Sequence, residues 1–507
     1  MNLSEIHKTQ QLRCVTALVY YDLILNFNEM VVTEVSKVPS GNAVQIMATV
    51  MGTLTALSDG MQYGWSAPII PLLQQPSSPV KITNSDIVWI ENTFMLGGLA
   101  GIPLTIYLLD KLGRKNSMLI AAVENLIAWL LLIFASSSEV ILVARFLTGF
   151  AGDCNFVATP MYIAEIADKK IRGRLGALIF IMMLMGILLI YSIGPFISIA
   201  ASSSVGAAVI ITQLLTFSFM PESPYYLLVK NRKEEARQAL RILRGTEDVD
   251  QELEEIAQAV EEENRARGRP LELFTVKSNR KAIIIMSVLN FAQHFSGVSV
   301  ILMNLHMILE DAATNIPPSI IAIIFSVLML FASGLSALLI DSLGRKILLY
   351  TSCFLTAVTL LLLATYFACK NNDVNMEAYS WVPAVAVISY AITFKCGLGL
   401  IPIVLTAELF PTNVKALGCT VSDAMYIIGS VSSIYAFHFL HMNYGMHVPF
   451  FLFGCACLLT GIFSLLIIPE TKGKTLDEIQ KLLKGEESAV NGACVSDADS
   501  ETIPLLS

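Results

Sequence analysis

Charge is the scarcest property of this chain. Aspartate, glutamate, lysine and arginine supply 15% of its 507 residues, against 55% hydrophobic residues, where soluble domains carry about a quarter charged. The mean hydropathy is +0.65. The deficit is concentrated: 116–135 and 451–468 hold almost no charge, and each is near the roughly 20 residues that cross a bilayer as a helix. A soluble fold is excluded. The lipid bilayer is the solvent, and lipid-exposed backbone must bond to itself, so the spans are expected to be helices.

Other absences narrow the function. The nine cysteines show no framework spacing, and Cys154, Cys353, Cys396, Cys455 and Cys457 fall inside apolar runs, where they read as small packing residues. No basic patch accompanies the net charge of −8, so nucleic acid is not an expected partner. No cleavable leader is expected: Leu18–Leu25 is apolar but short and interrupted by Asp22, an interfacial helix or an added extension. Gly473-Lys474-Thr475 echoes the end of a phosphate loop, but Ile468 stands where that loop needs glycine. Neither metal ligands nor a catalytic nucleophile form a constellation, so no cofactor and no enzyme chemistry are expected.

What is present is repetition. Asp110-Lys111-Leu112-Gly113-Arg114-Lys115 returns with one change as Asp341-Ser342-Leu343-Gly344-Arg345-Lys346. Glu165 lies seven residues before Arg172, and Glu408 seven before Lys415. Pro221-Glu222-Ser223 closes one apolar run and Pro469-Glu470-Thr471 another. Three paired signals in the same order indicate a duplicated bundle.

Twelve spans are expected, at 44–68, 86–109, 116–135, 139–164, 175–198, 203–221, 281–304, 317–340, 346–368, 381–405, 417–439 and 448–468. The expected fold is thus an all-α integral membrane protein: two pseudo-symmetric six-helix bundles, 44–221 and 281–468, with a cytosolic helical linker at 222–280. A terminal segment, 1–43, and a tail, 469–507, complete it. Short loops rich in lysine and arginine, including Lys111, Lys169, Arg174 and Lys346, alternate with loops holding only Lys81 and Lys370, which places both termini in the cytosol. In the linker, Glu234, Glu235, Arg237, Leu240 and Leu243 have amphipathic helical spacing, and 250–263 predicts a second helix.

Together with Arg145 and Gly149, Pro160-Met161-Tyr162, Arg172-Gly173-Arg174-Leu175-Gly176, Gln293 with Ser296-Gly297, and Glu408-Leu409-Phe410-Pro411-Thr412, these motifs resemble the sugar porter family of the major facilitator superfamily. The resemblance covers about 45–484, and Gly64-Trp65-Ser66-Ala67-Pro68 is similar to its insect facilitated trehalose-transporter branch. It implies alternating access for a small, sugar-like solute. It also implies a cytosolic gate of acids and bases pairing within and between halves: Asp110, Arg114, Glu165, Arg172 and Glu222 in one half, Asp341, Arg345, Glu408, Lys415 and Glu470 in the other. Lys415 stands where the family usually has arginine, keeping the charge without the planar fork.

The expected pocket departs from that family. Gln293 matches a sugar ligand, but His294 replaces a second glutamine and Ser299 an asparagine. Phe180 stands at a usual glutamine, Met329 at an asparagine, Ile403 at a tryptophan and Tyr426 at an asparagine. Intramembrane Asp59, Asp153 and Lys395 are new charges; a charge at the bilayer centre costs about 2.5–3.5 kcal/mol and faces a cavity or a partner. Lys395 is expected to pair with Asp59 or Asp153, with a static ion pair or snorkelling as the plain alternatives. Glu91 is placed to pair with Arg145. Proton-coupled relatives carry an acid where this chain has Gln62, which favours uniport; Asp59, about one turn away, keeps symport open, and a non-transporting sensor on the same fold is the third reading. In the tail, Glu501 with Leu505 and Leu506 fits an acidic dileucine signal for a clathrin adaptor, which sets endosomal or lysosomal membranes beside the plasma membrane as destinations.

Overall fold

The computed structural model describes residues 40–78, 80–266, 271–314, 316–411, 414–474 and 476–484. The expected Leu18–Leu25 segment, Thr412, and the sorting residues Glu501, Leu505 and Leu506 lie outside them. Helices dominate, and the described chain forms two compact units, one holding residues up to Lys81 with Pro103–Val260, the other Ile82–Ile102 with the chain from Glu261.

The first expected span is a series of three helices, α1 (Ser40–Gly52), α2 (Leu54–Gly64) and α3 (Ser66–Gln74). Hydrogen bonds from Thr53 N to Thr49 O and Leu57 N to Thr53 O carry the backbone across the first junction, as burial in lipid demands. Next come α4 (Asn84–Lys111), α5 (Arg114–Ile133), α6 (Ser138–Ile166), α7 (Arg172–Ile193) and α8 (Ile199–Phe217). The backbones of α2 and α7 touch at two glycines. A Cβ on Gly60 would stand 1.9 Å from Met183 O, and one on Gly186 2.0 Å from Leu57 O.

The linker forms short helices, α9 (Pro224–Val229), α10 (Lys233–Arg244), α11 (Asp250–Ala266) and α12 (Glu272–Thr275). Ala236, Ala239, Leu240, Val249 and Leu253 make a small core of their own with Leu227. Leu243 leaves it to pack with Ala48, Tyr162 and Phe217 of the spans. Polar ties fix this docking: Gln45 donates to Leu243 O at 3.1 Å and accepts from Asp168 N at 2.8 Å, while Arg244 reaches Ile166 O and Glu252.

The second unit continues through α13 (Lys277–Phe295), α14 (Val298–Asp311), α15 (Pro318–Leu343), α16 (Arg345–Asn371), α17 (Val382–Lys395), α18 (Ile401–Leu409), α19 (Lys415–Tyr444), α20 (His447–Ile467) and α21 (Leu476–Lys484). Ten helical segments among the described residues are long and apolar enough to cross a membrane, Lys277–Asp311 counting as one. The two expected spans missing from that set are the broken ones, α1–α3 and α17–α18. Between α13 and α14 the chain turns at Gly297, whose φ of +81° suits glycine.

Candidate functional site

The break between α17 and α18 exposes backbone at membrane depth, and side chains satisfy it. Ser336 Oγ donates to Cys396 O at 2.9 Å, and Ser352 Oγ donates to Thr393 O at 2.7 Å while accepting from Leu398 N at 2.9 Å. Gln293 completes the set by donating Nε2 to Leu398 O at 3.0 Å. Such groups are needed wherever non-helical backbone sits inside a membrane protein. The Oε1 of Gln293 is buried without a hydrogen-bond partner among the described residues.

His294 is fully buried beside it. Its Nδ1 lies 2.7 Å from Ser299 Oγ, which lies 3.0 Å from Ser430 Oγ, and Tyr426 meets the imidazole edge-on with centroids 4.1 Å apart. With Nδ1 and the ring plane fixed, Nε2 remains buried and unpartnered among the described residues. The structure thus joins four expected pocket positions, Gln293, His294, Ser299 and Tyr426, around two helix ends. Other expected positions stand apart from this hydrogen-bonded set: Met329 is buried in α15, Ile403 is exposed on α18, and Lys395, the last residue of α17, holds Nζ 6.0 Å from the centroid of its neighbour Phe394.

In the first unit, Gln62 lies just before the break at Trp65. Arg145, fully buried, donates to Gln62 O at 2.7 Å and to its Oε1 at 3.3 Å, and stacks over the Trp65 ring at 5.5 Å. Gln62 Nε2 is buried and unpartnered among the described residues. Asp59 accepts from Asn125 Nδ2 at 3.0 Å and Asp153 from Thr105 Oγ1 at 2.6 Å, so each of these carboxylates has a neutral donor within its own unit. Phe180 is half-buried on α7.

At the helix ends that follow the repeated phrase, the two units carry matching clusters. In the first, Arg114 reaches Glu165 Oε1 through Nε at 3.0 Å and Nη2 at 2.8 Å, and the Ser223 hydroxyl donates to the other carboxylate oxygen. In the second, Arg345 reaches Glu408 Oε1 through Nε at 3.3 Å and Nη2 at 3.1 Å, and Thr471 Oγ1 donates to Oε2 at 2.6 Å. A second acid caps the helix start behind each arginine. Glu222 accepts from Lys115 N at 3.0 Å, and Glu470 from Arg345 N and Lys346 N at 3.0 Å each. Free N–H groups and the helix dipole favour a carboxylate there. Burial raises the Glu470 carboxyl, but the backbone donors of Lys472, Arg345, Lys346 and Thr471 outweigh it and hold the group below its ordinary value. The glycines of the repeated phrase allow this approach: Gly113 and Gly344 have φ of +92° and +87°, and a Cβ would fall 2.5 Å from Glu222 and 2.7 Å from Glu470.

The remaining expected gate residues stand at or near helix ends. Asp110 is exposed at the end of α4, Arg172 donates to Ala167 O at 3.4 Å, and Lys415 begins α19. Asp341 lies in α15 with its side chain outside the described set. Ser223 and Thr471 are the members that sequence reasoning missed, although their shared place after the repeated Pro-Glu was the available signal.

The chain as a whole is similar to known proteins. The profile of the family described as "Sugar (and other) transporter" matches residues 26–483. The facilitated trehalose transporter Tret1 of Polypedilum vanderplanki is 30% identical over 87% of this chain and 88% of its own length. The Tret1-2 homolog of Drosophila sechellia is 31% identical over 87% and 91%. Among solved structures, a partially occluded inward-open form of the xylose transporter XylE of E. coli superposes with a TM-score of 0.72 at 22% identity, covering 85% of this chain and 100% of that one. The repeated helix-end clusters, the broken helices and a profile match across nearly the whole chain make this multi-pass membrane protein a member of the sugar (and other) transporter family.

Proposed function

We propose that the chain is a facilitative carrier of a small sugar, trehalose or a hexose, working by alternating access. The observation that carries this reading is that each unit has buried polar atoms beside its helix breaks with no partner among the described residues, Gln62 Nε2 in the first and Gln293 Oε1 and His294 Nε2 in the second. A buried polar atom without a partner costs about 1–3 kcal/mol. A sugar hydroxyl that bonds such an atom recovers that cost, and a solute without the hydroxyl does not. The insect relatives carry trehalose transport in their names. The two helix-end clusters act as the cytosolic gate, closing and parting once per cycle, joined by Asp110, Arg172, Asp341 and Lys415. Gln62, which accepts from Arg145, is a group with no proton to exchange near neutral pH, and this supports uniport over symport. Both termini lie in the cytosol, the plasma membrane is the site of action, and Glu501, Leu505 and Leu506 recruit a clathrin adaptor.

Uptake by the purified protein in liposomes tests the reading. Trehalose or glucose should enter until inside and outside concentrations match, at the same rate with or without an inward proton gradient. Accumulation above the outside concentration, driven by the gradient, would replace uniport with symport. Sugar binding without flux would assign the chain to the sensor class.

A further inference from the structure

Helix α4 is continuous, yet it serves both units. Its outer part belongs with the second unit through Ile102, and its inner part with the first from Pro103 onward. The change falls at a proline, which lacks an N–H and presses on the carbonyl four residues back, so the helix is weakest there.

Glu91 lies about three turns outward of that proline. Its side chain is fully buried. Oε2 lies 2.9 Å from Nε2 of His438 on α19 and accepts from Nδ2 of Asn304 on α14 at 3.1 Å. Asn304 is itself a non-helical residue, with φ −119° and ψ 16°, at a kink within α14. Glu91 Oε1 makes no hydrogen bond among the described residues. A carboxylate taken out of water costs several kcal/mol unless paired, and an apolar side chain would pack α4 against these helices without that cost. A buried polar triad that joins three helices, one at a kink, points to a role beyond packing.

We propose that Glu91, His438 and Asn304 form an outer latch. Their bonds hold the outer part of α4 on the second unit while the path to the outside is closed. They part when that path opens, α4 bending at Pro103 and α14 at Asn304. The three are positioning residues, and the latch rests on the carrier reading above.

The test uses the full chain in liposomes. A Glu91→Cys/His438→Cys pair joined by a short bis-thiosulfonate reagent should lose uptake by about tenfold or more, the scale of a step whose barrier rises by about 1.4 kcal/mol, and recover on reduction. Wild-type protein with its native cysteines, given the same reagent, should keep its uptake. Undiminished uptake by the cross-linked pair would overturn the latch, since α4 would then never part from α19. The near-isosteric Glu91→Gln variant supplies a second readout that needs neither cross-linking nor a solute. Amide exchange across 84–102 should quicken about tenfold, while exchange across 103–111 stays as it was. Unchanged exchange at 84–102 would also overturn the latch. If wild-type protein moves no sugar, the carrier reading fails, and the exchange result alone decides the latch.

Discussion

Gly186→Leu is expected to remove nearly all folded protein from the membrane fraction. The Cβ alone would stand 2.0 Å from Leu57 O and 2.8 Å from Met61 N, both main-chain atoms of α2. A clash with a flexible side chain can be relieved by a rotamer change, whereas this one needs two helices to move apart. Overpacking an ordinary core costs about 1–3 kcal/mol, and separating two backbones falls at the top of that range or above it. Small residues at such crossings let membrane helices approach closely. The shift would also carry Gln62, on the next turn of α2, away from Arg145. Gly176→Leu is the matched control: it lies on the same helix, and beyond its own turn of helix no atom of the described residues comes within 4 Å of its Cβ position. Monodisperse yield and thermal stability in detergent are the measurements. Equal yield and melting temperature for the two variants would contradict the close α2–α7 crossing.

Arg345→Ala is expected to lower the turnover rate by about ten- to a hundredfold while leaving sugar affinity close to wild type. The substitution removes two hydrogen bonds to Glu408 and leaves that carboxylate with the Thr471 hydroxyl. Hydrogen bonds to charged groups contribute about 1.5–3 kcal/mol each, and each 1.4 kcal/mol is tenfold in a rate or population. Arg345→Lys should fall between, because it keeps the charge and loses the fork. Adding Glu408→Gln to Arg345→Ala should restore part of the loss, since the partner no longer carries an unpaired charge. The mirror substitution, Arg114→Ala, should behave alike, because Glu165 and Ser223 repeat the arrangement. Initial rates over a range of sugar concentrations separate turnover from affinity. Wild-type turnover in Arg345→Ala would remove the cluster from the cycle.

Much of this was legible in the residues because the chain states it twice. The Asp-x-Leu-Gly-Arg-Lys phrase, the two glutamates upstream of a base and the two Pro-Glu pairs mark both clusters in the sequence itself. The amphipathic spacing of Glu234, Glu235, Arg237, Leu240 and Leu243 likewise predicts the helix that forms at Lys233–Arg244, though not what it docks against. Long-range partners were not legible. Gln293 stood out as a sugar ligand, but its bond to Leu398 O spans 105 residues and depends on where α17 breaks. Glu91 does not pair with Arg145 as the sequence led one to expect: Arg145 bonds Gln62, and Glu91 bonds His438, 347 residues away. Ser223 and Thr471 were read as parts of a motif, while their role follows from the direction each hydroxyl takes at a helix end. Hydropathy also counted the first and tenth spans as single helices. It measures apolarity over a window and is blind to the breaks at Thr53, Trp65 and 396–400, beside which polar groups of the candidate site lie.

The central claim is that one protein carries sugar through two alternating states, and solute counterflow tests it most directly. Liposomes containing the purified chain are loaded with unlabelled trehalose or glucose and diluted into a trace of the same labelled sugar. A carrier that returns faster when loaded gives a transient accumulation of label above its equilibrium level, in the absence of any ion gradient. That overshoot is the predicted result. Label that rises only to equilibrium, at a rate unaffected by the sugar inside, or that does not enter at all, would contradict alternating access by this chain.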